Sequence, residues 1–428
     1  MLETLKNAWK VKELRNKILF TILILLIFRI GSVIPVPYID VAALRDSMSS
    51  TNTNEFFSYL SILTGGGLEY GAIFAMSVTP YINSSIIIQL LCVAIPALER
   101  LSKEGEEGQK KLAQITRYAT VILALIQGIA FYIYLKNSGY LTVNATAATI
   151  FAGFVIVLAF TAGSALVMWL GEQIDSKGIG NGISILLFAG ILSRGPQAAG
   201  ALVEYWKMGQ KFAVVGIIIA FLAVITFVVW MTGAERRIPI QYAKRVVGNK
   251  MYGGQNTHIP IKVNMSGVMP IIFASSILML PTMILGFMNS KQLASSFAKF
   301  LNLFSVQGIF YAVVYFLMII GFAYFYATIQ FNPVEMTNNL RKNGGAIPGI
   351  RPGKPTSDFI SKILSRITLM GALFLSVIAI LPIVIGNVGK INVSLGGTSV
   401  LIMVGVALDT VRNLESQMMM RHYKGFLD

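Results

Sequence analysis

The chain has one cysteine, Cys92, and two histidines, His258 and His422. A single thiol cannot build a disulfide framework within the chain, and Cys92 sits in the apolar run Ile86 to Ile95, where it serves packing. Neither histidine has Cys or carboxylate neighbours at ligand spacing, so no metal site is expected. Charge is scarce as well: 13% of residues are Asp, Glu, Lys or Arg, against 55% that are hydrophobic. The apolar stretches contain no histidine, no paired carboxylates and no acidic residue near a centre, which leaves catalysis without convergent titratable groups. No G-x-x-x-x-G-K-[ST] motif occurs, and the glycine-rich run Gly178 to Gly182 follows an apolar helix instead of a strand, so it is no phosphate cradle. These absences exclude an enzyme, a bound cofactor and an energy source of the chain's own.

What the chain has instead is long apolar runs. Its composition lies outside that of soluble domains and inside that of multispanning membrane proteins, which predicts one helical bundle over the 428 residues. A helix needs about 20 apolar residues to cross a hydrocarbon core of roughly 30 Å. Ten segments are assigned as spans: Ile18 to Val36, Ile73 to Ile95, Thr116 to Leu135, Ile150 to Leu170, Gly182 to Val203, Phe212 to Thr232, Gly267 to Phe287, Gly308 to Gln330, Ile367 to Ile385 and Thr398 to Val411. The fifth carries Arg194, Gly195 and Pro196 in its second half, and the tenth is short and begins directly after Gly396 and Gly397. The first follows five basic residues, as a signal peptide would, but its apolar run is too long and lacks a small-residue cleavage site, so it reads as a retained span.

Charge supports that count. Of the 35 Lys and Arg residues, 26 fall on or at the edge of alternate loops of the ten-span pattern, 8 belong to the opposite side, Arg194 of the fifth span among them, and Arg29 lies deep inside a span. Basic residues are retained on the cytoplasmic side, so both termini should be cytosolic: an amphipathic stretch over 1–17 and a tail over 412–428. The net charge of +16 then belongs at a membrane surface, near anionic lipid or an acidic partner, and no direct recognition of nucleic-acid sequence is expected.

Four features stand out from the spans. Residues 56–67, Phe56 to Gly67, are apolar at helical spacing and stop at a triple glycine; about 12 residues at 1.5 Å each reach only roughly 18 Å. Such a piece either lies on the membrane surface or folds back into the protein. Arg29, within the first span, is costly there and is read as structural, able to snorkel outward or to bond neighbouring carbonyls. The loops 232–264 and 331–366 are the longest, basic, and punctuated by Pro and Gly; connections of that length are usually functional. They project side by side if the helices pack in sequence order. Finally, Asn83, Ser84, Ser85 and Gln89 in the second span, Gln127 in the third and Ser275 and Ser276 in the seventh are dense polar groups for lipid-facing helices. They serve as interhelical glue or as a weakly bonded seam that can open. A ten-span secondary transporter of a small solute is the competing reading, since Pro80, Pro270, Pro281 and Pro382 could break helices at a binding site. A proton- or sodium-coupled carrier, however, calls for midplane carboxylates, and there are none.

Five stretches, in order and over essentially the whole chain, resemble the SecY family, the channel subunits of the bacterial protein translocon, related to the Sec61-alpha channel of the endoplasmic reticulum. They are Pro80 to Leu91; Gly171 to Ile174 with Gly178 to Ser184; Glu235 to Pro239; Phe273 to Ser276; and Pro348 to Gly353. The resemblance implies an all-α integral membrane protein. Its ten transmembrane helices form two pseudosymmetric five-helix halves, 18–203 and 204–411, around an hourglass pore that opens sideways between the second and seventh spans. It turns residues 56–67 into a short re-entrant plug helix, with Phe57, Tyr59, Leu60, Ile62, Leu63 and Gly65 as plug residues.

The same resemblance makes Ile82, Ile86, Leu187, Ile191, Ile272 and Ile402 the pore ring. Leu187 replaces one isoleucine of that ring with a side chain of equal volume, which bears only on the tightness of the seal. The seven polar residues above, with Leu280, line the lateral gate. Arg236, Arg237, Lys244, Arg245, Lys250, Arg341, Lys342, Arg351 and Lys354 are the docking surface for ribosomes and the SecA ATPase motor. Small membrane subunits SecE and SecG are implied as companions, signal peptides and unfolded polypeptides as substrates, and the bacterial cytoplasmic (inner) membrane as the location. The function implied is a protein-conducting channel that translocates unfolded secretory polypeptides and releases transmembrane segments into the lipid bilayer.

Overall fold

The computed structural model describes residues 9–49, 61, 64–143, 145–209, 211–242, 245–247, 250–252, 256–265, 267–287, 308–389 and 397–424. Phe57, Tyr59, Leu60, Ile62 and Leu63 of the expected plug and Lys244 of the first basic loop lie outside the described residues. In chain order the elements are α1 (Lys12–Gly31), α2 (Val41–Ser49), α3 (Thr79–Ala94), α4 (Pro96–Lys103), α5 (Glu106–Asn137), α6 (Thr146–Lys177), α7 (Gly182–Leu192), α8 (Gly195–Lys207) and α9 (Lys211–Gly233). Then come β1 (Glu235–Tyr242), β2 (Arg245–Val247), β3 (Lys250–Tyr252), β4 (Asn256–Lys262), α10 (Met269–Phe287), α11 (Ile309–Gln330), α12 (Pro333–Lys342), β5 (Gly345–Ala346), α13 (Lys354–Gly389) and α14 (Gly397–Lys424).

Each of the ten expected spans is occupied by helix, and the differences lie at ends and breaks. Six helices among the described residues are long and apolar enough to cross a bilayer on those criteria alone, or seven if the bent pair α3 and α4 is one span. α1 is not among them, because it carries Lys12, Glu13, Arg15, Lys17 and Arg29 within 20 residues. The second span is shorter than its apolar window: residues 73–78 form turns, and helix begins only at Thr79, with Pro80 in its first turn. α3 then breaks into α4 at an angle of 104°. Pro96 explains the break, since the residue before a proline is pushed out of helical geometry, and Ile95 is extended at φ −111° and ψ 113°. The fifth span is likewise two helices. α7 ends at Leu192, and Pro196 sits in the first turn of α8, where its missing N–H costs nothing.

The described residues divide into two compact units. One is drawn from Met1–Val214, Leu278–Gly308 and Val406–Asp428, the other from Val215–Ile277 and Ile309–Gly405. In the first, Phe131 and Leu135 of α5 pack on Ile156 and Phe160 of α6, with the Phe131 and Phe160 rings edge to face at 5.4 Å. A Cβ added to Gly128 would lie 3.5 Å from the Val157 carbonyl oxygen, an ordinary van der Waals contact, so this helix pair has room for alanine there. The segments around Val36, Ile39 and Leu68 to Met76 cover the end of this pair. At the opposite end Leu14 of α1, Ile179 and Leu414 of α14 form a smaller cluster.

In the second unit α11 packs along α13, and Phe273 of α10 meets Phe322 and Tyr326 of α11. Phe227 of α9 meets Phe374 of α13 edge to face. Outward faces remain apolar: Leu26 of α1 is 60% exposed and Ile219 of α9 is 62% exposed. Contiguous surfaces of that kind call for lipid or another protein.

One close approach tests the packing directly. A Cβ added to Gly163 on α6 would lie 2.1 Å from the Ile73 carbonyl oxygen, whereas Gly216 on α9 has nothing within 4 Å. Gly163→Ala should therefore lower the thermal unfolding midpoint in detergent, by an overpacking cost of about 1–3 kcal/mol. Gly216→Ala should leave it unchanged or slightly raised, and equal midpoints for the two variants would show that the contact is not tight.

Candidate functional site

α3 carries two of the expected ring residues and four of the expected gate residues. Ile86 is buried and Ile82 half-buried, one helical turn apart on the same face. On α7 the same spacing puts Leu187 and Ile191 on one face, both buried. α7 starts where it does because Asn181 caps it, its side chain accepting from the Ser184 N–H at 3.0 Å, while Asp175 accepts from the Gly182 N–H at 2.7 Å. Ile272 on α10 is half-buried, and Ile402 on α14 is buried; Gly405, one turn on, packs against Val268 just ahead of α10. None of the six is exposed.

The gate residues are not equivalent. Ser84 is fully buried and donates to the Thr116 carbonyl of α5 at 2.9 Å, so it holds α3 to α5. Gln89 donates to Ser85 one turn before it, and Ser275 donates to its own helix at the Ile272 carbonyl. Asn83, Gln127 and Ser276 are half-buried, and Leu280 lies on α10.

Gly65, the one expected plug residue among those described, is pressed onto the end of α7. Its φ is +64°, and a Cβ there would lie 2.8 Å from the Gly190 carbonyl oxygen, so glycine is required on both counts. The Arg29 guanidinium donates to the Gly65 carbonyl at 2.9 Å. Arg29 thus meets a neighbouring carbonyl, one of the two structural fates open to it from sequence. Ser61 and Thr64 are buried.

The two long basic loops share a sheet, in the order β4, β1, β5, which sequence reading left as mere neighbours. Ile238 pairs with Ile259 across β1 and β4, and Gln241 pairs with Ala346 of the second loop. Ile238 and Ile240 are buried while Arg237 and Pro239 between them are exposed, and Ile261 is buried on the facing strand. That alternation, Arg237-Ile238-Pro239-Ile240 on β1 and His258-Ile259-Pro260-Ile261 on β4, is the strand signal the sequence carried. Ile238 and Ile261 join Ile347, Ile360, Leu364 and Ile367 in a core that seats the sheet on the first turns of α13.

Arg236, Arg237, Arg341, Lys342, Arg351 and Lys354 are all exposed around this core. Arg237 is paired with Glu235 at 2.7 Å. Arg341 and Lys342 end α12, where cations oppose the negative end of the helix dipole. The turn bearing Arg351 is tied down by Thr356, which donates to the Arg351 carbonyl at 2.8 Å, and Gly349 and Gly353 take left-handed φ on either side. Arg245 and Lys250 lie on β2 and β3, which pair with each other. In the other unit, the α4 residue Lys103 bonds Glu99 and holds its carboxyl below the usual carboxylate range by that hydrogen bond and its charge. Among the described residues no His, Cys, Asp or Glu cluster could hold a metal.

Comparison with known proteins agrees with this picture. The family model for SecY matches residues 72–411. The protein translocase subunit SecY of Streptomyces scabiei is 43% identical over 440 residues, covering 100% of both chains. A solved protein-conducting channel superposes with a TM-score of 0.65 at 18% identity, covering 94% of this chain and 92% of its own. Sec61 in the canine ribosome–channel complex from the endoplasmic reticulum superposes with a TM-score of 0.62 at 17% identity, covering 94% and 92%.

The shared sheet makes a prediction that does not depend on any partner. Ile238→Asp buries an unpaired carboxylate, at a cost above the roughly 1–3 kcal/mol of an unsatisfied neutral group. Limited proteolysis should then cut loops 232–264 and 331–366 faster while the spans stay inserted. An unchanged digestion pattern would show that the loops are not packed on this core.

Proposed function

This chain belongs to the SecY family, and on that premise we propose how its parts divide the work of the channel. It is a protein-conducting channel, embedded in the membrane by several apolar helices, and it is not an enzyme. Unfolded secretory polypeptides pass through it, and transmembrane segments leave it sideways into lipid. The observation that carries this is similarity to a translocase subunit from end to end of both chains. The secondary-transporter reading is not favoured.

Ile82, Ile86, Leu187, Ile191, Ile272 and Ile402 act as the constriction. Branched aliphatic side chains expel water from a narrow neck and so block ions, yet they offer an extended peptide no hydrogen bond to linger on. Their burial supports this reading, since all six are withheld from the outward apolar faces that meet lipid. Residues 56–67, ending at Gly65, Gly66 and Gly67, act as the plug. Burial of Ser61 and Thr64 favours a segment folded into the protein over one lying on the membrane surface. Asn83, Ser84, Ser85, Gln89, Gln127, Ser275, Ser276 and Leu280 belong to the gate. Within it Ser84 braces α3 on α5, and an apolar signal helix that wedges in replaces weak bonds of the remaining groups.

The basic head of loops 232–264 and 331–366 is the docking surface for the SecA motor and for ribosomes, and it includes Lys244, Arg245 and Lys250. Its sheet and core support this role, because cations fixed on a folded platform lose less freedom on binding than cations on a loose tail. Arg351, held at the tip of a tied turn, offers a planar fork for carboxylates, carbonyls or phosphates. SecE and SecG are the companion subunits, the bacterial inner membrane is the location, and both termini are cytosolic, as the basic loops require. Residues 18–203 and 204–411 are the two halves.

Two outcomes follow. Arg351→Glu should abolish motor-driven translocation into inverted vesicles while leaving the protein folded and inserted; normal transport by that variant would remove the docking role. Asn in place of both Ile86 and Ile402 should raise the resting ion permeability of proteoliposomes severalfold by wetting the neck, and an unchanged permeability would remove the ring assignment.

A further inference from the structure

Two arginines converge on the stretch from Ser61 to Glu69. Besides the Gly65 carbonyl, the Arg29 guanidinium donates to Ser193 Oγ at 3.1 Å, and that hydroxyl lies 2.7 Å from the Gly190 carbonyl and 3.3 Å from the Gly65 carbonyl. One residue further on, the Arg194 guanidinium donates to Ser61 Oγ at 2.6 Å and forms an ion pair with Glu69. Ser61 in turn donates to Glu69 at 2.7 Å, which closes a three-membered polar ring. The Arg194 end of the site is largely dry, with side-chain exposure of 14% at Arg194 and 20% at Glu69 and Ser61 1% exposed, whereas Arg29 is exposed. Arg194 Nε is buried with no hydrogen-bond partner among the described residues.

The placement has a cause in the chain. α7 stops at Leu192 because Gly195 and Pro196 begin a new helix, so Ser193 and Arg194 stand at the break, where neither is committed to a helix face. Arg194 also falls on the side of the pattern poor in Lys and Arg, where a buried cation is costly unless it is employed.

We propose that Arg29, Ser193 and Arg194 are positioning residues that clasp Ser61, Gly65 and Glu69, and that the clasp is released by water. This rests on reading residues 56–67 as the plug. In a dry site the Arg194–Glu69 attraction is strong, and it falls severalfold once water raises the local dielectric. An exposed pair of this kind is worth almost nothing. A polypeptide that enters with its hydration shell thus weakens the contacts holding this stretch, and its departure restores them.

The test uses the full-length channel with its copurifying subunits in proteoliposomes, reading resting ion leak and, as a folding control, the thermal midpoint. Glu69→Gln and Arg194→Gln should each raise the leak severalfold, and Arg194→Lys should raise it less. The exchanged pair, Glu69→Arg with Arg194→Glu, should return the leak toward that of the parent. Parent-level leak in both single variants, or no recovery in the exchanged pair, overturns the clasp. If a single variant fails to fold, the exchanged pair decides, since a parent-level leak there is expected only of a charge pair. Deleting Phe57 to Gly65 separates the two readings: leak in the deletion but not in the charge variants removes the clasp alone, and no leak in the deletion removes the plug.

Discussion

Backbone hydrogen bonding without water is the constraint on which the rest of this architecture depends. Residues 64–78 are neither helix nor strand, and such backbone is tolerated at membrane depth only when it is enclosed by protein. Here it bonds to its surroundings: the Val36 N–H donates to the Gly71 carbonyl and the Ile73 N–H to the Ile34 carbonyl. Enclosure demands close approach, which small residues on α1 and α6 permit. Gly31 lies under the Phe74 ring, and Gly163 lies against the Ile73 carbonyl. The irregular stretch is thereby the piece of the first unit that touches α1, α6 and α7 together.

Charge is handled in two opposite ways. Arg194, largely withdrawn from solvent, is absorbed by a hydroxyl and a carboxylate, and Arg29, though exposed, by a carbonyl and a hydroxyl. The cations of the basic head stand exposed on a sheet and its core, where their guanidinium and ammonium groups keep their hydration until something binds. Two demands are met in this way: polar groups enclosed by protein are spent on internal partners, and those of the basic head are left in water.

Ser84 shows how the two demands meet on one helix. α3 presents Ile82 and Ile86 on one face and a row of hydroxyl and amide groups beside them, and Ser84 spends its bond on α5. That hydrogen bond, of a kind worth about 0.6 kcal/mol, adds to the packing of α3 along α5.

Much of this was legible in the sequence. The apolar runs located helix at all ten expected segments, because the hydrophobic requirement of a span is local and additive along the chain. Proline and glycine marked the weak point of the fifth span at Arg194 to Pro196 before its break was seen, since their backbone limits are also local. The charge pattern singled out the basic loops and Arg29. What sequence could not determine was which distant groups would be paired. Nothing local links Arg194 to Glu69 and Ser61, or Gln241 of one loop to Ala346 of another, because these partners are chosen only when helices far apart in the chain are brought into register. Span positions follow from solvent transfer, which each segment settles alone; the clasp and the shared sheet follow from packing, which no segment settles without the others.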